Sequence, residues 1–146
     1  MDPHAIVIDK LQDSNNYYGD YGKEYLSYSD IIVLLKSPDS FKKPVIKTKA
    51  MIEGSYYHTS MLEPDYLEEY KIVDVASRST KAYKEACKEG EFLLLKKEQL
   101  HMTSLVEKMK GNLEMYDEIY AEGNEFEKPE VTQIMNNMWK GKADIV

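Results

Sequence analysis

Cysteine is almost missing from this chain: Cys87 is the only one in 146 residues. No intrachain disulfide can form and no Cys/His cluster offers a structural zinc site, which leaves a partly buried free thiol as the reading for Cys87. Long apolar runs are missing too. The longest, such as residues 31–35, are far too short to span a bilayer. The opening MDPHAIVIDK lacks the basic-then-apolar order of a secretory signal. Neither GxxxxGK nor GxGxxG occurs, and there is no nucleophile elbow, so P-loop, dinucleotide-binding, triad and cysteine-protease readings fail. Repeats, low-complexity tracts and Gly/Ser linkers are also absent. At this length the chain is expected to form one domain, 1–146, with a core sufficient to fold without staples. These absences point to a soluble protein of a reducing cytoplasm that makes no use of a membrane.

Acid exceeds base, 26 side chains to 19, for a formal charge of −7. Nucleic-acid binders often carry a basic stripe, and the total argues mildly against one. A metal enzyme that gathers carboxylates can nonetheless be acidic overall, so composition leaves the class open. Twelve tyrosines are many for this length, and five (Tyr17, Tyr18, Tyr21, Tyr25, Tyr28) crowd one early stretch. They could stack on bases, although packing and interface roles are commoner for tyrosine.

Along the chain, residues 1–26 read as an irregular segment with a short strand at 5–8. A helix is signalled over 29–36, capped by Ser27 or Ser29 and ended by Pro38. A second runs over about 48–62, stopped by Pro64. Residues 70–75 alternate as a short strand. Residues 79–89 read as a helix capped by Ser79 or Thr80, with Gly90 just past its end. The apolar burst 92–95 suits a buried strand, and amphipathic helices follow at 97–110 and 113–122. Residues 131–135 and 138–146 read as two strands joined at Asn136-Asn137, a pair that tolerates positive φ. The fold class expected is α+β, a helical N-terminal part followed by a C-terminal β-hairpin.

Alternation along the last strand groups Trp139, Gly141, Ala143 and Ile145 on one face and Lys140, Lys142 and Asp144 on the other. A carboxylate behind two lysines suits a metal-dependent phosphodiesterase, the acid holding Mg²⁺ and the lysines attracting phosphate. A solvated strand edge is the commoner meaning of such a pattern. The second candidate is Glu53-Gly54-Ser55-Tyr56-Tyr57-His58. Gly54 and His58 share a helix face, so a missing side chain there leaves room for a substrate or metal beside the imidazole. A histidine hydrogen-bonded within a packed helix is the alternative.

The order of several motifs resembles the RecE-like exonuclease (exodeoxyribonuclease VIII) family of the PD-(D/E)xK superfamily. They are Tyr25-Leu26-Ser27-Tyr28-Ser29, then Leu34-Leu35-Lys36-Ser37-Pro38, then Gly54-x-x-x-His58-x-x-x-Leu62-Glu63-Pro64. Arg78-Ser79-Thr80-Lys81-Ala82-Tyr83-Lys84-Glu85 follows, then the helix at 95–109, Glu130, and Lys140-Gly141-Lys142-Ala143-Asp144. The Gly-x-x-x-His-x-x-x-Leu-Glu-Pro run is the specific part, and the likeness covers about residues 25–146. The resemblance implies a metal-dependent nuclease that resects linear double-stranded DNA ends for a single-strand annealing partner in phage or prophage recombination. It implies Mg²⁺ or Mn²⁺ as cofactor, with His58 helping to organise the metal and Asp144 as a direct ligand. Glu130 becomes the acid ahead of the hairpin, and Arg78, Lys81, Lys140 and Lys142 become contacts to DNA phosphates, with surface salt bridges the equal alternative for Arg78 and Lys81. Ring-like homo-oligomers are suggested on the same ground.

The family pattern also needs a strand bearing Asp/Glu-x-Lys some ten residues beyond the first carboxylate, and here Val146 follows Asp144 by two. The nuclease core is therefore expected to be incomplete, inactive alone, with an unpaired edge beside Asp144. Three explanations stand: a fragment of a longer enzyme, a second chain that supplies the missing strand, or a shortened module that binds DNA or inhibits a host protein without catalysis.

Overall fold

A computed structural model describes residues 3–88 and 91–146. In chain order the helices are α1 (Pro3–Gln12), α2 (Ser14–Tyr18), α3 (Asp20–Lys23), α4 (Tyr28–Lys36), α5 (Lys49–Leu62), α6 (Lys81–Ala86), α7 (Lys96–Lys110) and α8 (Leu113–Ile119). The strands are β1 (Ile72–Val73), β2 (Leu94–Leu95), β3 (Phe126–Ile134) and β4 (Asn137–Ile145). Short 3₁₀ turns follow Ser37 and Glu63. Mixed helix and strand with a C-terminal antiparallel hairpin agrees with the α+β expectation. The chain divides into two compact units, one made of residues 1–44 and 125–146 and the other of 45–124.

In the first unit, residues 3–12, 14–18 and 20–23 are helical, which corrects the irregular segment and the strand at 5–8. Val7 and Ile8 are β-branched and invite a strand reading, but with Leu11 they also fit one face of a helix. That face meets Tyr17, Tyr25 and Val131 in a small core where Leu11 is fully buried. Tertiary packing overrides the local preference here. Pro3 stands in the first turn, where its missing N–H costs nothing. The turn formers at 13–16 serve a helix start instead: the Asp13 carboxylate accepts the Asn15 N–H at 2.8 Å and caps α2. Ser27 caps α4 as expected, with Asp30 reaching back to the Ser27 N–H at 2.8 Å.

β3 and β4 pair antiparallel from Phe126↔Ile145 to Ile134↔Asn137. The turn lies at Met135-Asn136, with φ of 49° and 60°, one residue earlier than expected. Two residues at positive φ match the right-handed twist of a tight hairpin, and the Asn137 amide donates to the Met135 carbonyl at 3.0 Å. β3 also begins five residues sooner than expected. Pro129 suggests a break, but it sits fully buried opposite Lys142 within the ladder. The outer edge of β4 is not bare throughout: Leu26 forms a parallel bridge to Trp139, with Leu26 N–H to Met138 O at 2.9 Å and Lys140 N–H to Leu26 O at 2.8 Å.

In the second unit α5 packs against α7. Thr48 caps α5 through the Met51 N–H, and the helix stops two residues before Pro64, as the sequence suggests. β1 and β2 are shorter than expected and pair parallel, Ile72↔Leu94 and Val73↔Leu95, with α6 between them. Thr80 caps α6, which closes at Ala86; Gly90 lies outside the described residues. α7 matches its expected span to a residue, whereas α8 stops at Ile119. Tyr56, Leu94 and Met102 form one buried cluster, and Tyr83, Leu93 and Leu95 a second that half-buried Cys87 joins.

Candidate functional site

The hairpin places Asp144 and Glu127 between the paired positions Phe126↔Ile145 and Lys128↔Ala143. A carboxylate oxygen of each lies within 4.8 Å of the other. Glu127 adopts a φ of 52°, a left-handed backbone that costs a branched or long side chain energy unless the surroundings impose it. Its side chain is buried, while Asp144 is exposed. The acid facing Asp144 is thus Glu127. Glu130, the residue picked out from the sequence, lies within β3 rather than ahead of it, opposite Gly141, and is exposed. The alternation 127, 129, 131 along the buried face of β3 was the available signal.

The two lysines of β4 turn inward. Lys142 Nζ lies 3.0 Å from Glu127 Oε2, both side chains about as buried as the core (6% and 5% exposed). It also stands 4.7 Å from the Tyr17 ring centroid and 5.4 Å from that of Tyr18. Lys140 donates to the Tyr17 carbonyl and sits 4.0 Å from the same ring. Burial, reinforced by Lys42 and Lys142 nearby, pulls the Lys140 ammonium down to about 8. Burial likewise pushes the Tyr17 phenol up to about 12. The close fit explains Gly22: a Cβ there would fall on the Tyr17 carbonyl oxygen and 2.6 Å from Lys140 Nζ.

In the second unit the resemblance picks out Arg78, Lys81 and His58. Arg78 holds Glu98 with both terminal nitrogens, at 2.7 and 2.6 Å, donates to Leu93 O at 3.2 Å, and lies 4.3 Å from the Phe92 ring centroid. Glu98 is 4% exposed and also accepts the Leu95 N–H at 3.0 Å. Burial alone would raise the Glu98 carboxyl; the hydrogen bonds from Arg78 and Leu95 outweigh it and hold the group below its ordinary range. Lys81 is exposed at the start of α6, 3.7 Å from Glu85. His58 is half-buried on α5.

Gly54, one turn before His58, is exposed, and a Cβ built on it meets nothing within 4 Å. Packing therefore does not require glycine. Gly54→Ala is expected to raise stability by about 0.5–1 kcal/mol, because mid-helix glycine is costly. Urea denaturation checks this; a loss of stability would show that the position is constrained after all.

No family model, curated protein or solved structure matches this chain. Among the described residues, no helix is long and apolar enough to cross a membrane.

Proposed function

We propose that this chain serves in a metal-dependent exodeoxyribonuclease that acts on linear double-stranded DNA ends, with its metal site on the C-terminal hairpin of a PD-(D/E)xK-like core. The observation that supports it most is the pairing of the Glu127 and Asp144 carboxylates across β3 and β4. Two hard oxygen donors at that separation fit Mg²⁺ or Mn²⁺, which take carboxylates and waters. Asp144, the exposed member, and Glu127 are the residues of the hairpin that would hold the ion. Once bound, it would polarise a phosphodiester and lower the pKa of an attacking water. Lys142 stands 3.0 Å from Glu127 and balances its charge in the ion's absence. The resemblance gives His58 a metal-organising role, to be tested by its own substitution.

A second reading, a module that binds DNA or a host protein without catalysis, draws on the Lys142–Glu127 pair, since an ammonium already neutralises one of the two acids. Calorimetric titration with Mn²⁺ separates the two. The nuclease reading expects a site of about one ion per chain that Asp144→Ala weakens at least tenfold. Equal affinity in the two proteins would leave only the second reading.

A further inference from the structure

Three of the four basic residues that the resemblance offers to DNA are engaged inside their own units: Arg78 by Glu98, Lys140 by the Tyr17 carbonyl and Lys142 by Glu127. The uncommitted positive charge lies elsewhere. Between Lys36 and Lys49 the sequence holds five lysines (36, 42, 43, 47 and 49) against one acid, Asp39, a local +4 in a chain of −7. Residues 42–50 are all exposed, and 43–48 have no helical or strand structure. Lys42 is drawn back to Asp30 at 3.0 Å, and Lys49 stands 3.5 Å from Glu53 and 3.8 Å from Glu98. That leaves Lys36, Lys43 and Lys47 without an ion pair among the described residues. Exposed Val45 and Ile46, at 69% and 88%, lie between the last two.

We propose that this run of chain, residues 36–49, is the contact for the phosphate backbone of duplex DNA. The inference rests on the nuclease reading for its choice of partner. Physiological salt screens charges beyond about 8 Å, so an approaching phosphate responds to Lys36, Lys43 and Lys47, offset by Asp39, and not to the total charge of the chain. Exposed lysines on a segment that carries Pro38 and Pro44 and has no regular structure over 43–48 pay no desolvation cost until contact. Their flexible stems suit a sequence-independent grip, which is what an enzyme working inward from any DNA end requires.

The test is binding of an end-labelled linear duplex in EDTA, by fluorescence anisotropy, over about 50 to about 200 mM salt. Lys36→Gln/Lys43→Gln/Lys47→Gln is compared with wild type and with Lys108→Gln as an exposed control. The triple variant should bind about tenfold or more weakly at low salt, and its log K against log salt slope should fall by about 2–3. Lys108→Gln should change neither. A triple variant that binds like wild type overturns the inference, as does a wild type that ignores duplex DNA at low salt or prefers anionic vesicles to it. Because EDTA removes the metal, these outcomes are independent of the Mn²⁺ titration that judges the nuclease reading.

Discussion

Replacing Glu98 with alanine is expected to destabilise the chain by about 3 kcal/mol, at the low end for a broken buried pair. Glu98 does two jobs from one buried position. It accepts both terminal nitrogens of Arg78, and it caps α7 by accepting the Leu95 N–H. Its loss leaves a guanidinium that is only 23% exposed without a counter-charge, and leaves a helix-start N–H without its acceptor. The partial exposure of Arg78 is why the low end applies. Urea unfolding of the variant should show a lower midpoint with the slope retained; a shift below 0.5 kcal/mol would mean that the pair contributes little.

Glu98 also sets a pH dependence. Its folded-state pKa lies below the ordinary value of 4.5, so the folded state binds its proton less readily than the unfolded one does. The stabilisation is complete above about pH 4.5 and is lost as pH falls through the lower folded value. Wild type should therefore lose stability on acidification below that point more steeply than Glu98→Ala.

The second large effect concerns Glu127 and Lys142. Both side chains are nearly fully buried, so removing one takes from the other its ion-pair partner at 3.0 Å. Glu127→Leu or Lys142→Met alone should cost about 3–5 kcal/mol. The double variant Glu127→Leu/Lys142→Met should recover most of that loss, since a buried ion pair is often replaceable by apolar side chains of similar size. Unfolding midpoints of the three variants test this; single and double variants that are equally unstable would point to packing rather than charge. The double variant has a further use, because it keeps the hairpin folded while removing one of the two carboxylates proposed to hold metal.

Helix ends marked by local chemistry were legible in the sequence. Thr48 and Pro64 bracket α5, Ser27 starts α4 and Thr80 starts α6, each by a side-chain oxygen or a ring that acts within a few residues. Where packing across the chain decides, the sequence misleads. Val7 and Ile8 look like a strand until Leu11 and the distant Val131 supply a helical face to bury. Pro129 looks like a boundary until the hairpin shows it buried within a ladder that begins at Phe126. That one misplaced start left Glu127 out of the strand and put Glu130 ahead of it, whereas Glu130 lies within β3. The strand that carries Asp144, and the face it shares with Lys140 and Lys142, were read correctly. The inward turn of Lys140 and Lys142 was not visible, because nothing in the strand pattern reports that Tyr17, more than a hundred residues away, lies beneath them. The basic run at 36–49 was in plain view, masked by a net charge summed over the whole chain.

The most direct test of the account locates the metal. Mn²⁺ added to isotope-labelled protein broadens the NMR signals of amides close to the ion. At low Mn²⁺ the amides around Glu127 and of residues 142–145 on β4 are expected to disappear, with Asp144→Ala abolishing the effect there. Broadening centred elsewhere, for example on the acidic stretch Glu63–Glu69, or unchanged by Asp144→Ala, would contradict a metal-dependent phosphodiesterase site on this hairpin.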